Sequence, residues 1–314
     1  KQIAGLWTCY LLCQSLFYAL LSKYAKIPTM KERLNRVVDR SVLQQEEPVS
    51  PAEPETAKEE IQPKKPEKRA QGKLILIGIV VVLLLLLSVF KIYVDNNYKP
   101  LHTMDDYQAM TAYEIESSDN ALAIQNPQAI ANKNAIGFII YGDERVQREC
   151  YLPLMIALAE NGYCAYLPTT FGNLPVLNQE GAEYVIRTYR SVHTWYIIAH
   201  GKACPVAARY AKSNSSKING LIYLGGASYH TDLSELDLPL LSVAGANDSL
   251  LDKTRAEKAK KNNPAGSEYI SIPDGNHSGI LDTILLRGDT PSSLSNEEQI
   301  DQTILAISTF LNQP

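Results

Sequence analysis

From Ala135 onward, short runs rich in β-branched and aromatic residues alternate with longer stretches whose apolar residues recur every three or four positions. That alternation is the mark of a mostly parallel sheet with helices on both faces. The strands predicted are Ala135 to Tyr141, Tyr163 to Leu167, Trp195 to Ala199, Leu221 to Leu224, Leu240 to Ala244 and Ser267 to Ile272. The helices predicted between and after them are Arg148 to Asn161, closed by Gly162, then Glu180 to Arg190, Ala203 to Ser213, Lys253 to Asn262 and Glu297 to Leu311. No fixed-period repeat interrupts the order, and residues 95–314 read as one α/β domain. Ligands of such sheets bind beyond the C-terminal ends of the strands, so the loops after Tyr141, Leu167, Ala199, Leu224, Ala244 and Ile272 are where chemistry is expected.

A different pattern precedes this domain. Leu74 to Phe90 is a run of seventeen uncharged residues, apolar except for Gly78 and Ser88, and Ile92 to Val94 extend it. A buried helix of a soluble protein keeps a polar stripe, and this run has none. Residues 74–94 are therefore expected to form a transmembrane helix, a signal anchor rather than a cleaved signal peptide. Lys64, Lys65, Lys68, Arg69 and Lys73 lie before it, and Asp95, Asp105 and Asp106 after it. The positive-inside bias puts the basic side in the cytoplasm and the C-terminal domain outside, in the cell membrane. Residues 30–73 form a charged, Pro-rich cytoplasmic segment expected to be disordered, with prolines at 48, 51, 54, 63 and 66. Residues 1–29 are again apolar. They read either as a second membrane helix, its end held by Lys23, Lys26 and Lys31, or as sequence translated from upstream of a start at Met30.

Overall composition is ordinary for a globular chain, at 45% hydrophobic and 20% charged residues, and the net charge of −4 gives no reason to expect a nucleic-acid partner. Five cysteines, with no Cys-x-x-Cys pair, argue against a disulfide framework, and the five histidines lack metal-ligand spacing, so neither a metal nor a cofactor is expected.

Tyr196-Ile-Ile-Ala-His-Gly-Lys-Ala-Cys204 has the form of strand, tight turn and helix, with small residues at 199, 201 and 203. That is the layout of a nucleophile elbow, whose central residue takes a positive φ and whose neighbours two positions away must be small. Gly245-Ala-Asn-Asp248 follows the fifth predicted strand and Pro273-Asp-Gly-Asn-His277 the sixth, which completes the order elbow, acid, histidine.

On these residues the chain resembles the small bacterial membrane-anchored α/β-hydrolases of the fold-5 group. Further likeness lies in Tyr151-Leu-Pro-Leu154, Ala159-Glu-Asn-Gly162, Phe171-Gly-Asn-Leu174, Leu236 to Ser242, Gly288-Asp-Thr-Pro291 and Glu297-Glu-Gln299. The resemblance implies an α/β-hydrolase fold and a serine hydrolase of acyl esters, with His277 as general base and Asp248 as its orienter. The serine is missing: the family's Gly-His-Ser-Leu-Gly stands here as Ala199-His200-Gly201-Lys202-Ala203. Glycine has nothing with which to attack a carbonyl, so catalysis is expected to be impaired. A pseudoenzyme that binds a ligand or partner, or a membrane-tethered interaction module, is the alternative.

The backbone amides of Lys202 and of the Gly142 turn are expected to form the oxyanion site, opposed by the carboxylates of Asp143 and Glu144. Tyr151, Phe171 and Asn173 are expected to line the pocket for a small acyl-ester-like ligand or substrate. His193, His200 and His230 read as structural or solvated, and Cys204 as a core residue one helical turn past the elbow. Restoring the hydroxyl with Gly201→Ser is expected to cost about 1 to 3 kcal/mol in backbone strain and to gain labelling by a serine-directed phosphonate.

Overall fold

A computed structural model describes residues 68–312. The expectations for residues 1–29 and for most of the Pro-rich segment lie outside the described residues. The first described element, α1 (Lys68–Asp95), begins ahead of the apolar run. Its portion Ile75–Asp95, 21 residues with a mean hydropathy of 3.1 over its most apolar window, packs none of that window inside the protein and is long and apolar enough to cross a membrane. After it the chain is stitched to the domain, the amide of Tyr98 donating to the Arg145 carbonyl (2.8 Å) and that of Gln147 to the Tyr98 carbonyl (3.0 Å).

The domain is an eight-stranded sheet in the order β1-β2-β4-β3-β5-β6-β7-β8. Its members are β1 (Ile115–Ser117), β2 (Ala121–Ile124), β3 (Ile136–Tyr141), β4 (Cys164–Pro168), β5 (Thr194–His200), β6 (Gly220–Leu224), β7 (Leu240–Gly245) and β8 (Glu268–Ile272). From β4 to β8 all pairings are parallel, while β1 and β2 are antiparallel additions at one edge. The helices are α2 (Met104–Met110), α3 (Pro127–Ala131), α4 (Leu152–Glu160), α5 (Gly181–Thr188), α6 (Cys204–Asn214), α7 (Lys253–Ala259) and α8 (Asn296–Leu311).

Strand alternation sorts the apolar residues onto two faces. Phe138, Ile140, Ile198 and Ile222 join Leu154, Leu158, Ile300 and Ile304 of α4 and α8 in one core, whereas Ile139, Tyr141, Ile197 and Ala199 join Val185, Val206 and Tyr210 of α5 and α6 in the other. Full burial of each such large side chain stabilises by about 1.5 to 3 kcal/mol, so the sheet centre is the rigid part that aims the loops beyond its edge.

Two differences from the sequence expectation have local causes. The helix expected from Arg148 opens as a 3-10 turn over Arg148–Tyr151 and becomes α-helical only at Leu152, because Pro153 carries no amide and fits only a first helical turn. The helix expected to reach Asn262 ends as α7 at Ala259 and tightens to 3-10 geometry over Lys260–Asn262, ahead of the extended residue Asn263 and Pro264.

Candidate functional site

Parallel strands bring the ends of β3, β5, β7 and β8 to one edge, where Tyr141 pairs with Ala199 and Gly245 with Ile272. The loops after β7 and β8 are then tied together, with Ala246 N–H donating to the Ile272 carbonyl (2.9 Å) and Asn247 N–H to the Gly275 carbonyl (2.8 Å). That tie sets Asp248 against His277, and Oδ2 of Asp248 lies 2.9 Å from Nδ1 of His277. The other oxygen, Oδ1, accepts the amides of Leu250 and Leu251, both at 2.9 Å, so the carboxylate is held from both ends.

His277 is fixed from the opposite side by two groups in the chain's tail. Gln299 of α8 makes a pair of hydrogen bonds with the Asn276 backbone, accepting from its N–H (2.9 Å) and donating to its carbonyl (2.7 Å). Asp289 accepts both the amide (2.8 Å) and the hydroxyl (2.7 Å) of Ser278, which leaves that hydroxyl pinned away from the histidine.

Gly201, at the turn from β5 into α6, has φ +52°, a left-handed conformation that costs glycine nothing. A Cβ at this position would lie 2.5 Å from Cγ of Asp143 and within 2.7 Å of both its carboxylate oxygens. The space in front of Gly201 is therefore filled by the Asp143 side chain. Its Oδ1 accepts the Lys202 amide (2.7 Å) and the Glu144 amide (2.8 Å), and its Oδ2 lies 3.2 Å from Nε2 of His277. Asp143, His277 and Asp248 thus form a buried carboxylate–imidazole–carboxylate line. The Lys202 amide, expected at an oxyanion site, carries Asp143 instead of an open position.

Electrostatics follow from this packing. Burial alone would depress the His277 imidazolium, but the hydrogen bonds and charges of Asp143 and Asp248 overcome it and push its pKa up to about 10. Burial would raise Asp143, yet its bond to His277 and the neighbouring positive charge hold it below the usual carboxylate range. His200, wholly buried, is held down at about 4 by burial first and then by the charge on His277, whose ring it stacks against at 4.3 Å. The site is one imidazolium between two carboxylates, beside a neutral imidazole.

Tyr151 lies beneath the site and is fully buried, its hydroxyl accepting the Asp143 amide (2.6 Å) and standing 2.9 Å from Nδ1 of His200. Phe171 lies apart from it in the loop after β4, 44% exposed, and Asn173 accepts the Arg145 amide at its carbonyl (2.8 Å). None of these three lines the small cavity between the strand ends, which is bounded by His200, Gly225, Asn276, His277, Gln299 and Thr303. Cys204 is buried with its thiol donating to the Ala199 carbonyl (3.2 Å), and burial drives its pKa well up. It is inert by both measures.

Asp143, His200 and His277 each bring one metal-ligand type of atom within 4.8 Å of the others. A cation must lie near the plane of every imidazole that binds it. Two rings stacked at 4.3 Å and inclined by 29° share no nearby in-plane point, so the group fits a charge pair better than a metal.

Asp143 as the group that fills the site, and His200 and Tyr151 as its supports, were not apparent from sequence. The signal was present in two separate places: a missing side chain at 201 and a carboxylate at the end of β3.

The family model described as the alpha/beta hydrolase family matches residues 137–301. No curated protein matches the sequence. Among solved structures the chain is similar to a membrane phospholipase A described as a novel bacterial virulence factor, with 11% identity, 78% of this chain and 100% of that chain covered, and a TM-score of 0.49. It is similar to a soluble variant of monoglyceride lipase from Saccharomyces cerevisiae in complex with a substrate analog, with 12% identity, 68% and 97% covered, and a TM-score of 0.45. Est1E from Butyrivibrio proteoclasticus with ferulic acid bound is similar at 14% identity, 62% and 96% covered, with a TM-score of 0.47.

Proposed function

Because the chain belongs to the alpha/beta hydrolase family, we propose that it keeps the family's acid and base at Asp248 and His277 but has lost serine chemistry at Gly201, and that it acts as a membrane-anchored binding protein. The observation that carries this reading is the Asp143 carboxylate, which fills the space of a nucleophile at 201 and accepts the very amide an oxyanion would use. An Oγ is absent, and Nε2 of His277 faces a carboxylate instead of a substrate hydroxyl or an attacking water.

The ligand proposed is a small acyl-ester-like molecule, since a carbonyl or carboxylate oxygen is the group that would compete with Asp143 for the Lys202 amide. The helix at Ile75–Asp95 serves as the single-pass anchor, and the basic residues ahead of it support a C-terminal domain outside the cytoplasm. The test is incubation of the full chain in detergent with a fluorophosphonate probe, read by intact mass. No adduct is expected; an adduct formed by the unsubstituted chain reveals another nucleophile and overturns the reading.

A further inference from the structure

The last turns of α1 pack against two loops of the domain. The Phe90 ring lies 6.4 Å from that of Phe171, a Cβ on Gly172 would come within 2.9 Å of Val94, and the Tyr93 hydroxyl donates to Glu144. Glu144 in turn pairs with Lys202 at 2.5 Å, so the helix end touches the residue that directly follows Asp143 and, through it, reaches the one that follows Gly201.

These contacts fix a depth. Phe90 stands five residues before Asp95, where the span ends, which is on the order of 7 Å along a helix axis. Phe171 beside it therefore lies at the level of the span's last turns and not above them. The loop that carries Phe171 suits such a place: residues 168–179 contain no charge, although 20% of the chain is charged. It exposes Phe171, Val176 and Leu177 at 44%, 62% and 55%. Apolar side chains grouped in this way beside a membrane helix are stabilised when they enter the lipid boundary.

We propose that the loop from Phe171 to Leu177 is a second membrane contact, seated in the lipid surface next to α1, and that the site edge beside it faces the headgroups. This rests on reading α1 as a membrane span. It narrows the ligand to an amphiphile whose polar end lies at the headgroup level, where Glu144 and Lys202 stand.

The test uses the full chain in phosphatidylcholine vesicles with and without acyl-chain bromination, in three variants: Leu83→Trp within the span, Leu177→Trp in the loop, and Leu305→Trp on α8, where the side chain is exposed as well. The readout is emission quenched beyond that of the unsubstituted chain. Loss of most of the added emission is expected for Leu83→Trp and Leu177→Trp, and none for Leu305→Trp. Quenching of Leu83→Trp without Leu177→Trp overturns the loop contact and leaves the anchor standing. Absence of quenching at Leu83→Trp removes the anchor and the loop contact with it, and quenching of all three shows unspecific adsorption and overturns the proposal.

Discussion

Asp282 and Asp248 are both buried aspartates that meet a histidine, and they do different things. Asp282 accepts the amides of Leu101 and His102 (2.9 and 3.0 Å), the Tyr107 hydroxyl and Nδ1 of His102 (3.1 Å). All four donors come from the stretch that follows α1, and the His102 side chain is 48% exposed. Asp248 instead meets a histidine that is itself buried, at the edge where parallel strands end, and that histidine has a second carboxylate on its other nitrogen. The first arrangement fastens a segment of chain to the domain. The second concentrates opposite charges where an alpha/beta hydrolase fold works on its ligand. A histidine–aspartate contact is therefore no mark of a site by itself; burial of the ring and a third group on its far nitrogen make the difference.

Loss of the fastening aspartate should cost the most. Asp282→Ala leaves the buried Tyr107 hydroxyl and the more exposed Leu101 and His102 amides without their acceptor, a loss of about 2 to 4 kcal/mol, or a fall in Tm of roughly 4 to 16 °C for a domain of this size. Asp143→Ala removes a carboxylate that accepts the Lys202 and Glu144 amides and pairs with His277, but the cavity edge it leaves can admit water to these groups, so its cost is expected at about 1 to 2 kcal/mol. Thermal melts of both variants compare them directly. A larger cost for Asp143→Ala would make that residue the structural one and reverse the comparison.

Dependence on pH sharpens the same contrast. The His277 pKa is raised to about 10, so its contribution to stability is complete below the unfolded value of about 6.5 and lost as pH rises through 10. His200, held down at about 4, acts in the other direction: the unfolded chain takes up its proton first, and stability is lost as pH falls from about 6.5 toward 4. A Tm maximum between these limbs is expected. His277→Gln should flatten the alkaline limb; an alkaline limb that survives this substitution would contradict the charge assignment.

What could be read from sequence follows from signal strength. The six parallel strands were legible because each carries three or more apolar residues between turn signals, and the order of their loops gave Gly201, Asp248 and His277 as residues to inspect. The edge strands β1 and β2 were not, being three and four residues long, the first mostly exposed and the second half alanine. Asp143 was legible only as a charge that would oppose an oxyanion. Its actual setting, between the Lys202 amide and the His277 imidazolium, depends on the distance between two loops 59 residues apart, which no periodicity records. The placing of Tyr151 and Phe171 rests on distances of the same kind: the Tyr151 hydroxyl accepts the Asp143 amide, while the Phe171 ring lies against Phe90 at the end of α1.

Fluorophosphonate labelling of a two-position series decides whether the Asp143 carboxylate holds the place of a nucleophile. Gly201→Ser alone puts a Cβ within 2.5 Å of Asp143 Cγ, in a left-handed backbone that already strains any side chain by about 1 to 3 kcal/mol. The single variant should melt lower and label weakly. Adding Asp143→Gly clears the space, frees the Lys202 amide and returns Nε2 of His277 to the new hydroxyl, so the double variant should form the phosphonate adduct at position 201 at least about tenfold faster, a difference of about 1.4 kcal/mol in the barrier. Equal labelling of the single and double variants would show that Asp143 does not occupy that place.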